Sequence, residues 1–317
     1  MPTIKIDPNL YEQIHADYIN EDALVLPQYD MYRINSGGQR YYIKHDGGEP
    51  QIAPSVTTIL SKTMPTSPYL IDWKVKHGEL KAAWIMNQSA NYGTMLHAIF
   101  GRILLGAEFE FDEDELFHEA SLGLDYDTSE IWKWYREEKR DIRKDVYGFV
   151  KWIKDYNIRP LAIEFPLMAQ DGSSAGCVDL VCLADFNERE TNQQIMVDYK
   201  TGTKAFYLTH ALQLKAYQEM WDETNDNLKV PTDIWNYGCA NFRLPIGKSV
   251  KGYRFECQTD KPNLDKKWNH YLDLFHLDNK FKSIVTAFDE KFTISREADL
   301  TKAVKEYNIE DPFKNEK

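Results

Sequence analysis

Cysteine is scarce in this chain: Cys177, Cys182, Cys239 and Cys257 are the only four in 317 residues, and no two are spaced as CxxC. Four are too few for a disulfide framework, and their spacing is wrong for a zinc site. They read as reduced core residues, which fits a cytosolic compartment. No stretch approaches the roughly 20 consecutive apolar residues that cross a bilayer. Nor does a charged start followed by an apolar run announce a secretory leader. Positive charge is also in deficit, since 38 Lys and Arg against 50 Asp and Glu leave a formal net charge of −12. Such a surface repels phosphate polymers over most of its extent, so a generally basic nucleic-acid coat is excluded and any nucleic-acid contact must be local. Internal repeats, low-complexity tracts and flexible linkers are missing as well.

What is present is a foldable chain. Apolar residues make up 43% and aromatics 13%, too rich for intrinsic disorder, and the length allows one elaborated domain or two small ones. A single compact domain with N-terminal additions is the preferred reading.

The segment YRINSGGQRYYIK (32–44) reads as a hairpin around Ser36-Gly37-Gly38. PSVTTILSKTMP (54–65) reads as one short helix, with Ser55 as its cap, Pro65 as its stop, and Val56, Ile59 and Leu60 at helical spacing. Residues 69–105 hold two further helical patterns, the second opening at Gly93-Thr94, with Leu96, Phe100 and Ile103 on one face and His97 beside it. Residues 108–119 carry seven carboxylates and no Lys or Arg, the mark of a solvated acidic connection. Residues 131–154 carry eight Lys or Arg against four acids on one amphipathic helical pattern through Ile131, Tyr135, Ile142, Val146 and Ile153, read as an ordinary amphipathic helix with a DNA-facing basic helix as the alternative. Strand periodicity follows in LAIEFPLMA, AGCVDLVCLA and QIMVDYK, as a meander. Then come a helix over AFYLTHALQLKAYQEMW, strands at DIWNYGCANF and KGYRFECQT, and a helix from about Asn263 to Phe288. The expected fold class is mixed, α/β or α+β, with helices before and after a mixed sheet.

The chemically informative run is Val197-Asp198-Tyr199-Lys200, because residues two apart on a strand share a face and bring the Asp198 carboxylate beside the Lys200 ammonium. Asp179 lies in the strand expected to pair with this one, among apolar residues. Two ionised carboxylates about 4 Å apart repel by roughly 4 kcal/mol at an effective dielectric of about 20, and a bound divalent cation reverses that sign. Oxygen ligation favours a hard ion such as Mg²⁺. Glu164 offers a third carboxylate and His97 a nitrogen ligand. Gln213 and Tyr217, four apart, share one helix face just after that strand. Taken singly, each has an ordinary structural explanation: an ion pair at a strand end, an exposed sheet glutamate, a satisfied core histidine, a surface Gln and a half-buried Tyr. Taken together they describe a site for a hard divalent ion, with Gln213 and Tyr217 reaching toward it to hold a phosphate or a base.

These residues fall in ordered motifs: GTMLH (93–97), IEF with Glu164, GCVDLV with Asp179, VDYKTG with Asp198 and Lys200, and QLKAY with Gln213 and Tyr217. In order and placement they resemble RecB-type nucleases of the PD-(D/E)xK superfamily. PSVTTIL followed by Asp72-Trp73-Lys74 is similar, more narrowly, to the phage and mitochondrial genome maintenance exonucleases. The resemblance, over about residues 50–220, implies a restriction-endonuclease-like core. It implies a Mg²⁺-dependent DNA exonuclease, Mn²⁺ substituting, that acts on single strands or free ends in replication, recombination or repair. A single-strand annealing or binding protein is the implied partner, and the host cytoplasm the implied location if the chain is phage-encoded. Asp179, Asp198, the Tyr199 backbone carbonyl, Glu164 and His97 are the implied metal ligands, with Asp179, Asp198, Glu164 and Lys200 catalytic. Gln213, Tyr217, Thr201 and Trp73 are assigned to substrate, with Trp84 and Tyr92 as further stacking faces or core residues. The organisation expected is an N-terminal hairpin and helical region (1–90) contributing to substrate access, a nuclease core (91–290), and a C-terminal helix and tail (291–317). Relatives with an iron–sulfur cluster use four spaced cysteines, so no cluster is expected here. IGKS (246–249) is rejected as a phosphate loop, because Phe242 stands where the first glycine belongs. The alternatives are a structure-selective endonuclease and a catalytically inactive DNA-binding module.

Overall fold

Strands that are apolar on both faces need helices on both sides, and the three central strand segments of this chain are of that kind. The computed structural model describes residues 29–36, 39–45, 50–107, 110–122, 128–201, 207–225, 236–241, 252–258 and 261–277. The N-terminal strands are β1 (Asp30–Ser36), β2 (Gln39–His45) and β3 (Gln51–Pro54). Six helices follow: α1 (Val56–Thr63), α2 (Pro68–His77), α3 (Glu79–Leu104), α4 (Glu113–Ser121), α5 (Ser129–Glu137) and α6 (Ile142–Asp155). Then come β4 (Arg159–Met168), β5 (Ala175–Ala184), β6 (Gln193–Lys200), α7 (Leu208–Asn225), β7 (Asn236–Asn241), β8 (Arg254–Gln258) and α8 (Lys261–Leu277).

The first three strands form an antiparallel sheet, and the rest form a five-stranded sheet in the order β4-β5-β6-β7-β8. The hairpin and the β4-β5-β6 meander stand as expected, and the mixed α/β class holds. Among the described strands of the five-stranded sheet, β6 and β7 pair in parallel and the other neighbours antiparallel. The parallel connection needs a crossover, which α7 supplies. One sheet face, through Leu180, Cys182, Ile195, Val197 and Tyr199, packs on α3 to α6. The other, through Phe165, Leu167, Val178, Val181 and Met196, packs on α1, α7 and α8. The small sheet docks on the large one through Tyr42, Ala53 and Met31 against Met168 and Ala175, and Ser55 bridges to Ala175.

Helix α1 starts as its sequence requires: Thr58 N donates to the Ser55 hydroxyl at 3.0 Å, a cap worth about 1 kcal/mol. Three local expectations are corrected. Helix α3 does not open at Gly93-Thr94 but runs unbroken from Glu79, after Gly78 at φ 77 separates it from α2. A glycine inside a helix costs about 1 kcal/mol relative to alanine, and here a Cβ on Gly93 would stand 3.0 Å from Thr201 Oγ1. The acidic connection includes helix α4, which buries Leu116, Phe117 and Ala120 and is capped by the Asp112 carboxylate. The basic stretch is two helices, broken at Lys139 with φ 50. The Tyr135 hydroxyl accepts from Ile142 N at 2.9 Å, and in the break Arg140 turns inward to donate to Asp145 at 2.8 Å.

No helix among the described residues is long and apolar enough to cross a membrane. The IGKS tract, the Gly37-Gly38 turn and everything after Leu277 lie outside the described residues.

Candidate active site

Strand register builds the site. The β5–β6 ladder steps regularly from Ala184 opposite Gln193 to Leu180 opposite Val197, so its next step brings Asp179 beside Asp198. On the other edge Ile163 pairs with Leu180 and Phe165 with Val178, which leaves Glu164 beside Asp179. Three carboxylates thus line up in one row across adjacent strands. Facing changes at this row: Ile163, Leu180 and Val197 pack toward α3, whereas Phe165 and Val178 pack toward α7. Glu164 sits at φ 45, a left-handed conformation that costs a non-glycine residue about 1–3 kcal/mol and persists only where its surroundings hold it.

From α3, His97 Nδ1 lies 3.3 Å from Asp179 Oδ1 and 3.4 Å from Glu164 Oε1. Burial works against a charge on this imidazole, but the Asp179 and Glu164 carboxylates outweigh it and hold the His97 pKa well above its ordinary value. Burial likewise opposes ionisation of Asp179, and the His97 and Lys200 charges together with the Tyr199 N–H overcome it, so its pKa is lowered. Tyr199 N donates to Asp179 Oδ2 at 2.6 Å. Its ring is fixed on the opposite face of β6 by edge contacts with Phe100, Phe149 and Trp152.

Asp198 is buried at 3% exposure. Its carboxylate forms a short ion pair with Lys200 Nζ and accepts from Gln213 Nε2 at 3.1 Å. Burial pushes the Asp198 carboxyl up to about 6, with Lys200 opposing the shift and Asp179 adding to it. The Gln213 amide also donates to the Tyr217 hydroxyl at 3.1 Å. Tyr217 in turn rests on bare backbone: a Cβ on Gly176 would lie 2.3 Å from Tyr217 Cε1.

Ligand atoms of His97, Glu164 and Asp179 all lie within 4.8 Å of one another, and Asp198 adjoins them through register. Carboxylate oxygens with one imidazole suit a hard or borderline divalent ion, and a row of acids needs such a charge to offset its own repulsion. The residues present fit a divalent metal site.

The structure therefore brings together His97, Glu164, Asp179, Asp198, the Tyr199 backbone, Lys200, Gln213 and Tyr217. Thr201 lies beside Gly93 at the end of β6. Trp73 stands apart, half-buried on α2 with its ring 4.5 Å from His77, and nothing among the described residues joins it to the acidic row. Tyr92 is core, its hydroxyl donating to Asp145 at 2.7 Å, and Trp84 packs on that core while donating to Glu130 at 2.8 Å. Sequence reasoning missed Cys177, whose thiol lies 3.7 Å from Glu164 Oε2, and the seat that Gly176 provides for Tyr217. The glycine's place in GCVDLV was the available signal for both.

No curated protein matches the chain. A protein-family model described as the PD-(D/E)XK nuclease superfamily matches residues 72–294, a span that holds every member of the acidic row, Lys200 and the Gln213–Tyr217 pair. Nucleases of this superfamily use divalent metals, and the site described above has the donors for one. The chain belongs to the PD-(D/E)XK nuclease superfamily, and the acidic row of β4, β5 and β6 is its candidate active site.

Proposed function

We propose that this nuclease is a metal-dependent DNA exonuclease of the RecB type that removes nucleotides from single strands or free ends, in the cytoplasm, during replication, recombination or repair. The observation that carries the reading is the row Glu164–Asp179–Asp198 with Lys200 paired to its innermost acid. Asp179, Asp198, the Tyr199 carbonyl, Glu164 and His97 would hold Mg²⁺ or Mn²⁺, which supplies Lewis-acid activation of water and charge neutralisation at the phosphodiester. Lys200 orients or deprotonates the attacking water, or pairs with the phosphate. Gln213 fixes the Asp198 carboxylate, and with Tyr217 it positions the scissile strand. Thr201, at the end of β6, and Trp73, on α2, contact the incoming strand, Trp73 by stacking. The family match supports nuclease chemistry, and the −12 charge supports a substrate path confined to this region. A single-strand annealing or binding protein fits as the partner that delivers such a substrate.

End-labelled linear and covalently closed circular single-stranded DNA, each with Mg²⁺ and with EDTA, test the exonuclease reading. The linear strand shortens in Mg²⁺, the circle survives, and EDTA stops the reaction. A circle that is opened assigns an endonuclease instead.

A further inference from the structure

Two arginines, upstream of the matched residues 72–294, lie on a small sheet that packs against the strands carrying Glu164 and Asp179. The small N-terminal sheet is held against β4 and β5 at several points: Met31 and Tyr42 pack on Met168 and Ala175, Ser55 bridges to Ala175, and the Tyr29 hydroxyl donates to the Pro166 carbonyl at 2.7 Å. Residues two apart on a strand share a face, so Arg33 lies on the Met31 face of β1 and Arg40 on the Tyr42 face of β2. Register sets Arg33 directly opposite Tyr42, and opposed residues of an antiparallel pair lie on the same side. Arg33, Arg40 and Tyr42 therefore gather on the side that meets β5.

That side abuts the site. Burial raises the Tyr42 phenol, the neighbouring Cys177 adds to the rise, and the Arg40 and Arg33 charges oppose it, Arg40 also by a side-chain hydrogen bond. Ala175, on which Tyr42 packs, shares a face of β5 with Cys177 and Asp179, and the Cys177 thiol lies 3.7 Å from Glu164 Oε2. Arg33 is exposed and Arg40 half-buried, and among the described residues neither guanidinium has an ion-pair partner. Hydrogen-bonding Tyr42 and fringing a small sheet account for some of this. They do not account for two guanidinium groups, without an ion-pair partner among the described residues, on the side of a small sheet that meets the strand carrying Asp179, in a chain of net charge −12. The guanidinium fork matches phosphate oxygens.

We propose that Arg33 and Arg40 form a phosphate-binding subsite that grips the nucleic-acid strand next to the bond being cleaved. The subsite rests on the nuclease reading of the acidic row. Its ligand chemistry is the phosphate oxygen, carried either by an internal phosphodiester or by a terminal phosphate.

The test is steady-state cleavage of linear single-stranded DNA in Mg²⁺ from 50 to 200 mM salt by the wild type, R33A, R40A, R33A/R40A and R33K/R40K. Each single-strand phosphate contact contributes about 0.7 to the slope of log affinity against log salt. R33A/R40A therefore raises KM, leaves kcat within about twofold, and flattens the slope of log KM by about 1.4, while R33K/R40K keeps most of the slope. A lysine variant that folds and retains its slope separates lost phosphate contacts from a damaged sheet. Substrates with a 5′-phosphate, a 5′-hydroxyl or a 3′-phosphate locate the ligand. Flattening on all three means an internal phosphodiester, and flattening on one phosphorylated end means a terminal phosphate. Slopes unchanged on all three, in a wild type that cleaves, overturn the subsite and leave the nuclease reading standing. A wild type that cleaves none of them overturns that reading, and the subsite with it.

Discussion

Asp198→Ala and Lys200→Ala each abolish cleavage of end-labelled single-stranded DNA in Mg²⁺, lowering kcat/KM by at least about 10³-fold, the scale set by losing an acid–base or electrostatic catalytic group. The two side chains form one unit. Lys200 Nζ is paired to the Asp198 carboxylate, and that carboxylate, buried and next to Asp179, is already pushed up to about 6. Removing the lysine takes away the partner that keeps Asp198 ionised and, on the proposed function, a charge at the attacking water or the phosphate. Removing the aspartate leaves Lys200 without its partner Asp198 and, on the proposed function, takes away a metal ligand. Because β6 is anchored from its other face by Tyr199 among Phe100, Phe149 and Trp152, the fold survives both changes, and a cooperative thermal transition close to that of the wild type verifies this. Undiminished cleavage by either variant removes these residues from the chemistry.

Gly176→Ala lowers kcat by about 10²-fold without touching a charged group. Its Cβ would lie 2.3 Å from Tyr217 Cε1, 2.8 Å from Cζ and 2.9 Å from the hydroxyl oxygen. Tyr217 is 5% exposed, so its ring has no open space to swing into and must shift as a body. The Gln213 amide, 3.1 Å from both that hydroxyl and Asp198 Oδ1, loses its register with the carboxylate it orients. Displacements of about 1 Å cost this much in rate, and overpacking adds about 1–3 kcal/mol of instability, visible in urea melts. The double variant Gly176→Ala/Tyr217→Ala separates the two effects. If the glycine acts by seating the tyrosine, adding Gly176→Ala to Tyr217→Ala costs no further kcat. An equal loss in both backgrounds shows that Gly176 matters for another reason.

The site was legible in the sequence where its chemistry follows from short-range periodicity. Asp198 and Lys200 share a face because strands repeat every two residues, and Gln213 and Tyr217 share one because helices repeat every three to four. Asp179 and Glu164 became neighbours of Asp198 once the meander was recognised, since successive antiparallel strands fix one another's register. The left-handed conformation of Glu164 was not legible, because nothing in IEF demands it; long-range contacts with His97 and Cys177 surround it. Helix boundaries failed where a local signal was overridden. Gly93 reads as a break but serves as a close approach to Thr201, and the even periodicity of 131–154 hid the turn in which Arg140 reaches Asp145. Arg33 and Arg40 carried no signal at all, since their meaning depends on where a separate sheet docks, more than a hundred residues away in sequence from the strand that receives it.

The central claim is that acids from adjacent strands share a divalent ion. Titration of Mn²⁺, following the free ion by electron paramagnetic resonance, tests it without any substrate. The wild type binds Mn²⁺, and Asp179→Ala and Asp198→Ala each weaken that binding at least tenfold. Equal affinity in the wild type and both variants contradicts the account.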